Sequence, residues 1–130
     1  MADTLTIYVC NTCRAADDDP DGPRAGTRLA AELRRRVRRG GAATADIAVV
    51  PVECLSVCKR PVTVSFAAPG KWTYIYGDFD AGSAEAILSA AGQYAAAGDG
   101  LIPWRERPDG LKRGVVARLP PSTALPEAAE

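Results

Sequence analysis

Apolar and polar positions alternate in distinct ways along the chain, and each pattern predicts an element. Leu5-Thr6-Ile7-Tyr8-Val9 is rich in β-formers and bounded by polar residues, so it predicts a first strand running into Cys10. Ala15 to Pro23 gathers aspartates, two prolines and a glycine, which marks a loop. From Gly26-Thr27 the period changes: Leu29, Ala30, Leu33 and Val37 recur at helical spacing, and Arg28, Arg34, Arg35, Arg38 and Arg39 fall largely on the other face. Gly40-Gly41 ends that helix where left-handed backbone costs little. Ile47 to Val52 is continuously apolar, the pattern of a central strand covered on both faces, although Pro51 cannot donate to a ladder and signals a bulge or an edge.

Val62 to Phe66 and Trp72 to Tyr76 flank the turn Ala68-Pro69-Gly70-Lys71 and predict a β-hairpin. Trp72, Tyr74 and Tyr76 alternate, so they share one sheet face and read as packing. Asp80 or Ser83 is placed to cap a second helix whose buried stripe is Ala84, Ile87, Leu88, Ala91 and Ala95, stopped by Gly98. Beyond Leu101 there are five prolines and little periodicity. The expected fold is α/β in the order β-α-β-β-β-α, with a mixed four-stranded sheet, two helices and an irregular C-terminal tail. The expected domain spans residues 1–118, with 119–130 a disordered tail.

The first strand-helix-strand unit constrains the site. Its two strands are expected to run parallel through a right-handed crossover, which puts both carboxyl ends on one edge of the sheet. All four cysteines follow those ends, as Cys10-Asn11-Thr12-Cys13 and Cys54-Leu55-Ser56-Val57-Cys58. Sites in open α/β sheets lie outside the carboxyl ends of parallel strands.

Composition narrows the chemistry. A length of 130 residues and an apolar fraction of 47% suit one core. Sixteen basic and sixteen acidic residues cancel, so total charge favours neither a nucleic acid nor a membrane as partner. Between Arg24 and Arg39, however, seven arginines face the single Glu32, a pattern that reads first as a solvated helix face. The longest apolar stretch is far too short to cross a bilayer, and no leader pattern opens the chain, so a cytoplasmic location is expected. In that reducing compartment paired cysteines serve as metal ligands or redox groups more often than as structural disulfides.

Two thiolates separated by two or three residues chelate one metal without straining the backbone. Two such pairs suit a tetrahedral zinc ion or a [2Fe-2S] cluster in which each iron takes two cysteines. The chain has no histidine, which removes Cys-His zinc sites, Rieske ligation and the usual base for a nucleophile, so hydrolytic catalysis is disfavoured.

These residues carry a resemblance. The element order, with one cysteine pair after each of the first two strands, resembles the thioredoxin-like [2Fe-2S] ferredoxins and the related small subunit of bacterial respiratory NADH dehydrogenase. Ile7 to Arg14, Cys54 to Pro61 and the late Ile102-Pro103-Trp104-Arg105-Glu106-Arg107-Pro108 segment resemble an uncharacterised bacterial family of small predicted metal-binding proteins. The resemblance implies a thioredoxin-like fold and a cluster bound by Cys10 and Cys13 on one iron and by Cys54 and Cys58 on the other. It departs from the ferredoxins in the first loop, where only Asn11 and Thr12 separate the cysteines.

Three uses of the thiols follow. The first is a non-enzymatic [2Fe-2S] electron carrier, or a protein supporting a metal-dependent pathway. It docks a protein partner through the basic helix or the Trp104 segment, with Arg14, Lys59 and Arg60 as cationic neighbours and Thr12 and Ser56 as hydrogen-bond donors to sulfur. The second is a structural zinc module. The third is a thiol-disulfide oxidoreductase using Cys10 and Cys13, with Pro61 as a cis-proline; against it, the aspartate-rich loop separates the thiols from any helix N-terminus that would lower their pKa. A second copy of the chain is a further candidate partner.

Overall fold

The computed structural model describes residues 5–11, 18, 21–41, 46–55, 60–80, 82–108, 111, 112 and 114–121. Within them the chain forms β1 (Leu5–Cys10), α1 (Ala25–Arg39), β2 (Ile47–Val52), β3 (Val64–Ala67), β4 (Thr73–Tyr76), α2 (Ala84–Ala96), a 3₁₀ turn at Trp104–Glu106 and β5 (Val115–Leu119). The strands form one sheet in the order β2-β1-β3-β4-β5. β1 and β2 pair in parallel from Leu5 opposite Ile47 to Cys10 opposite Val52, and every other neighbouring pair is antiparallel.

The sheet therefore has five strands, not the four expected. β5 arises in the stretch read as irregular tail, where it pairs with β4 from Thr73 opposite Leu119 to Tyr76 opposite Val115, with a register shift at Ile75/Tyr76. Val115-Val116-Ala117 is too short an apolar run to stand out among prolines, and its backbone is satisfied only by the β4 edge that folding supplies. The part of the expected disordered tail from residue 122 onward lies outside the described residues.

β2 differs too. It is an edge strand, as Pro51 signalled, and not a central one: Val49 is buried while Val50 is 38% exposed. Its long apolar run reflects one face packed under α1 and a second face left open.

Both helices form where expected. Leu29, Ala30 and Leu33 of α1 join Leu5, Ile7 and Val9 of β1 in one buried cluster. Gly40 closes the helix with its N–H on the Arg36 carbonyl, and Gly41 takes the left-handed backbone, at φ +56°. In α2 the buried stripe is Ala84, Ile87, Ala90, Ala91 and Tyr94, so it turns from the expected one toward Tyr94. Ser83 sits at the cap position, but its hydroxyl bonds Asp80 rather than a helix N–H.

Aromatic rings fill the other half of the core. Tyr74 and Tyr76 stack at 5.4 Å, and Phe66 lies edge-on to Tyr76 at 5.3 Å and 5.7 Å from Tyr94. The Tyr94 hydroxyl donates to the Trp72 carbonyl, and the Tyr74 hydroxyl accepts from the Ile102 N–H and from Arg107, each at 3.3 Å. The segment after α2 is thereby tied to β4. The expected strand loses Trp72, which precedes β4 and lies under the Arg118 guanidinium at 5.1 Å. Among the described residues no helix is long and apolar enough to cross a membrane.

Burial, with a smaller contribution from Tyr74, pushes the Tyr94 phenol from 10.0 up to about 12, against a backbone hydrogen bond from Ala68 that lowers it, and burial drives Tyr76 upward as well. Both groups keep their protons in the native state after the unfolded chain has lost them, so stability is complete below the unfolded value and declines as pH rises from about 10. Urea midpoints should fall between about pH 9 and pH 11. Tyr94→Phe should flatten that decline and cost about 1 kcal/mol at neutral pH through the lost hydrogen bond. An identical alkaline slope in the variant would contradict this assignment.

Candidate metal centre

The register of β1 and β2 builds the site. Because the two strands run parallel and end together at Cys10 and Val52, Cys54 follows two residues beyond the end of β2, on the edge where β1 delivers Cys10. The Asn11 N–H continues the ladder by donating to the Val52 carbonyl at 2.7 Å. Cys10 is 2% exposed, its N–H donates to the Thr63 carbonyl at 3.0 Å, and its sulfur lies 3.9 Å from the Glu53 carbonyl oxygen. Cys54 is exposed, and Leu55 next to it packs against the core.

Asn11 and Asp18 are each held to α1. Thr27 Oγ1 lies 3.0 Å from the Asn11 carbonyl and 3.1 Å from Asn11 Oδ1. Asp18, with only 1% of its side chain exposed, accepts the Ala25 N–H at 2.8 Å on one oxygen and Arg28 at 2.5 Å on the other. Between these points Gly26 brings the first turn of α1 directly onto the Cys10 backbone: a Cβ there would stand 2.0 Å from the Cys10 carbonyl oxygen. Only glycine permits that approach.

A second set of contacts steadies the segment that leaves the Cys54 loop. Val62 and Phe79 exchange backbone hydrogen bonds at 2.8 and 3.2 Å, and the Asp78 N–H donates to the Arg60 carbonyl at 3.0 Å. Asp78 adopts φ +65°, and its carboxylate binds the Arg60 guanidinium at 2.7 Å. Gly77 fits this junction because a Cβ would meet the Arg60 carbonyl oxygen at 2.7 Å. The cis peptide bond among the described residues joins Pro61 to Val62, so Pro61 does not follow a cis bond as the oxidoreductase reading expected.

Of the four expected ligands, Cys10 and Cys54 are placed at one edge, while Cys13 and Cys58 lie outside the described residues, as do Thr12, Arg14, Ser56 and Lys59. Among the described residues no group of three or more potential ligands gathers around a point. The Trp104 side chain likewise falls outside what is described. Arg60, read as a cationic neighbour of sulfur, is engaged by Asp78.

The start of α1, expected to be remote from the thiols, abuts Cys10, and its positive end is answered by the Asp18 carboxylate. The sequence marks Gly26-Thr27 only as the opening of a helix, and it gives Asp18 and Thr63 no part in the site. Asp18 caps Ala25 across seven residues, beyond the reach of a local capping pattern, and the demand on Gly26 comes from a different strand.

Comparison with known proteins agrees with the resemblance read from the sequence. The model of the family described as "Protein of unknown function (DUF1636)" matches residues 7–121. Among solved structures, a thioredoxin-like [2Fe-2S] ferredoxin from Aquifex aeolicus superposes with a TM-score of 0.61 at 16% sequence identity, covering 93% of this chain and 98% of that one. The fold is thus thioredoxin-like, with a fifth strand added to the expected sheet. No curated protein matches the chain.

Two glycine substitutions of opposite sign test the packing of α1 on Cys10. Gly26→Ala forces the helix off the strand end and should lower unfolding free energy by about 1–3 kcal/mol in urea titrations. Gly92→Ala, in α2 with nothing within 4 Å of the added carbon, should raise it by about 0.5–1 kcal/mol. Equal effects at the two positions would show that α1 does not press on Cys10.

Proposed function

The chain belongs to the family "Protein of unknown function (DUF1636)", and from that premise we propose that it is a non-enzymatic [2Fe-2S] protein of ferredoxin type, with Cys10, Cys13, Cys54 and Cys58 as ligands, that carries electrons or supports a metal-dependent pathway. The observation that carries this reading is the parallel pairing of β1 with β2 through Cys10 opposite Val52. It sets Cys10 and Cys54, from sequence positions far apart, at the same end of the sheet. The thioredoxin-like fold and a neighbour whose own description includes a [2Fe-2S] cluster support it.

The donor set fits such a group. All candidate ligands are thiolates, no histidine competes with them, and two-plus-two spacing is what a two-iron cluster requires. Such a cluster, when bound, supplies one-electron exchange. The chain's own residues supply the frame: Asn11 and Thr63 fix the backbone on either side of the Cys10 thiol, Thr27 bonds Asn11, and Asp18 bonds the Ala25 N–H at the start of α1. Exposed Cys54 faces the solvent side, from which a redox partner approaches.

Protein purified without oxygen should be brown and contain about two iron and two acid-labile sulfide per chain. Cys10→Ser and Cys54→Ser should each remove most of the visible absorbance while the far-ultraviolet circular dichroism of the fold persists. Colourless protein carrying one equivalent of zinc would overturn the proposal in favour of a structural zinc site. Disulfide reductase activity abolished by Cys10→Ser in metal-free protein would overturn it in favour of thiol chemistry.

A further inference from the structure

The arginines of α1 divide into two sets. Arg28 is bound to Asp18, and Arg35 and Arg36 share Glu32 at 2.5 and 2.7 Å. These hydrogen bonds hold the Glu32 carboxyl down at about 2, so that carboxylate stays committed to its two arginines. Arg34, Arg38 and Arg39 have no ion pair among the described residues; Arg34 Nε donates only to the Val49 carbonyl, at 3.3 Å. Arg34 and Arg38 stand one helical turn apart on the exposed side of α1.

That pair lines an open groove of about 320 Å³ between α1 and the β2 edge, with Asn11, Thr27, Ala30 and Pro51 as further walls. Asn11 follows Cys10, and Pro51 lies three residues before Cys54. One groove thus joins two arginines of α1 that have no ion pair among the described residues to Asn11 and Pro51, next to the strand ends that carry the candidate ligands, in a chain whose total charge is zero.

We propose that this groove is the docking surface for an acidic protein partner, whose carboxylates engage Arg34 and Arg38 and bring it against the Cys10 and Cys54 edge. The proposal rests on the redox reading above, since a redox partner must approach the centre closely. Docking partners of this kind use small, charged, salt-sensitive contacts, and complementary charge accelerates their encounter. Two guanidiniums one turn apart suit a row of carboxylates, and the open groove leaves room for a loop of the partner rather than enclosing a small ligand.

The test uses the full chain and a fluorescein-labelled peptide of ten glutamates, read by fluorescence anisotropy, with iron and sulfide content measured on the same samples. The peptide should bind the parent, and binding should weaken at least about tenfold between low and physiological salt. Arg34→Glu combined with Arg38→Glu should weaken it about tenfold or more, whereas Arg34→Lys with Arg38→Lys should keep most of the affinity and Arg105→Glu, exposed on the 3₁₀ turn, should leave it within about twofold.

Unchanged affinity in the double glutamate variant, or equal loss in Arg105→Glu, would overturn the proposal. Displacement of the peptide by inorganic phosphate below millimolar concentration would overturn it in favour of a small-anion site. Because peptide binding is read without the cluster, a chain that binds the peptide but holds no iron sinks the redox reading alone, and one that holds iron but ignores the peptide sinks the docking surface alone.

Discussion

Parallel pairing of β1 with β2 is the constraint on which the rest of the molecule depends. A parallel pair closed by a helix brings both strand ends to the same edge, and with them Cys10 and the start of the segment that carries Cys54. An antiparallel pairing of the same two strands would send the cysteine loops to opposite ends. The crossover helix is seated by contacts at its first turn, where Gly26 meets the Cys10 carbonyl and Asp18 closes the Ala25 N–H. Positioning of α1 and positioning of the first cysteine are therefore one event.

The second half of the chain forms a scaffold against which that edge is held. Phe66, Tyr74, Tyr76 and Tyr94 give β3, β4 and α2 a rigid aromatic contact, and Tyr74 and Tyr94 spend their hydroxyls on backbone groups of adjoining segments. From this body the Arg60 to Thr63 segment reaches back to the site, joined to Phe79 on one side and to Cys10 on the other. Backbone bonds thus join the core to Cys10.

Electrostatics adds a division of labour. Asp18 and Asp78 each hold one arginine in place and Glu32 holds two, while Arg34 and Arg38 keep their charge facing solvent along the groove that also takes in Asn11 and Pro51. Total charge conceals this arrangement, because balance over the chain says nothing about balance on one face.

The sequence by itself determined the element order as far as α2, the parallel first pair, both helices and the hairpin, because hydrophobic period and turn residues are local signals that each stretch carries on its own. It also determined that four thiolates, with no histidine, are the chemistry to be explained. Only the tertiary structure decided that β2 lies at the edge, that Val115–Leu119 is a fifth strand, that α2 turns Tyr94 inward and that Gly26 cannot be another residue. Each of those depends on a partner distant in sequence: a strand needs an edge to bond to, a helix face is chosen by what it covers, and the demand for a missing side chain comes from the carbonyl oxygen of another element standing where that side chain would be.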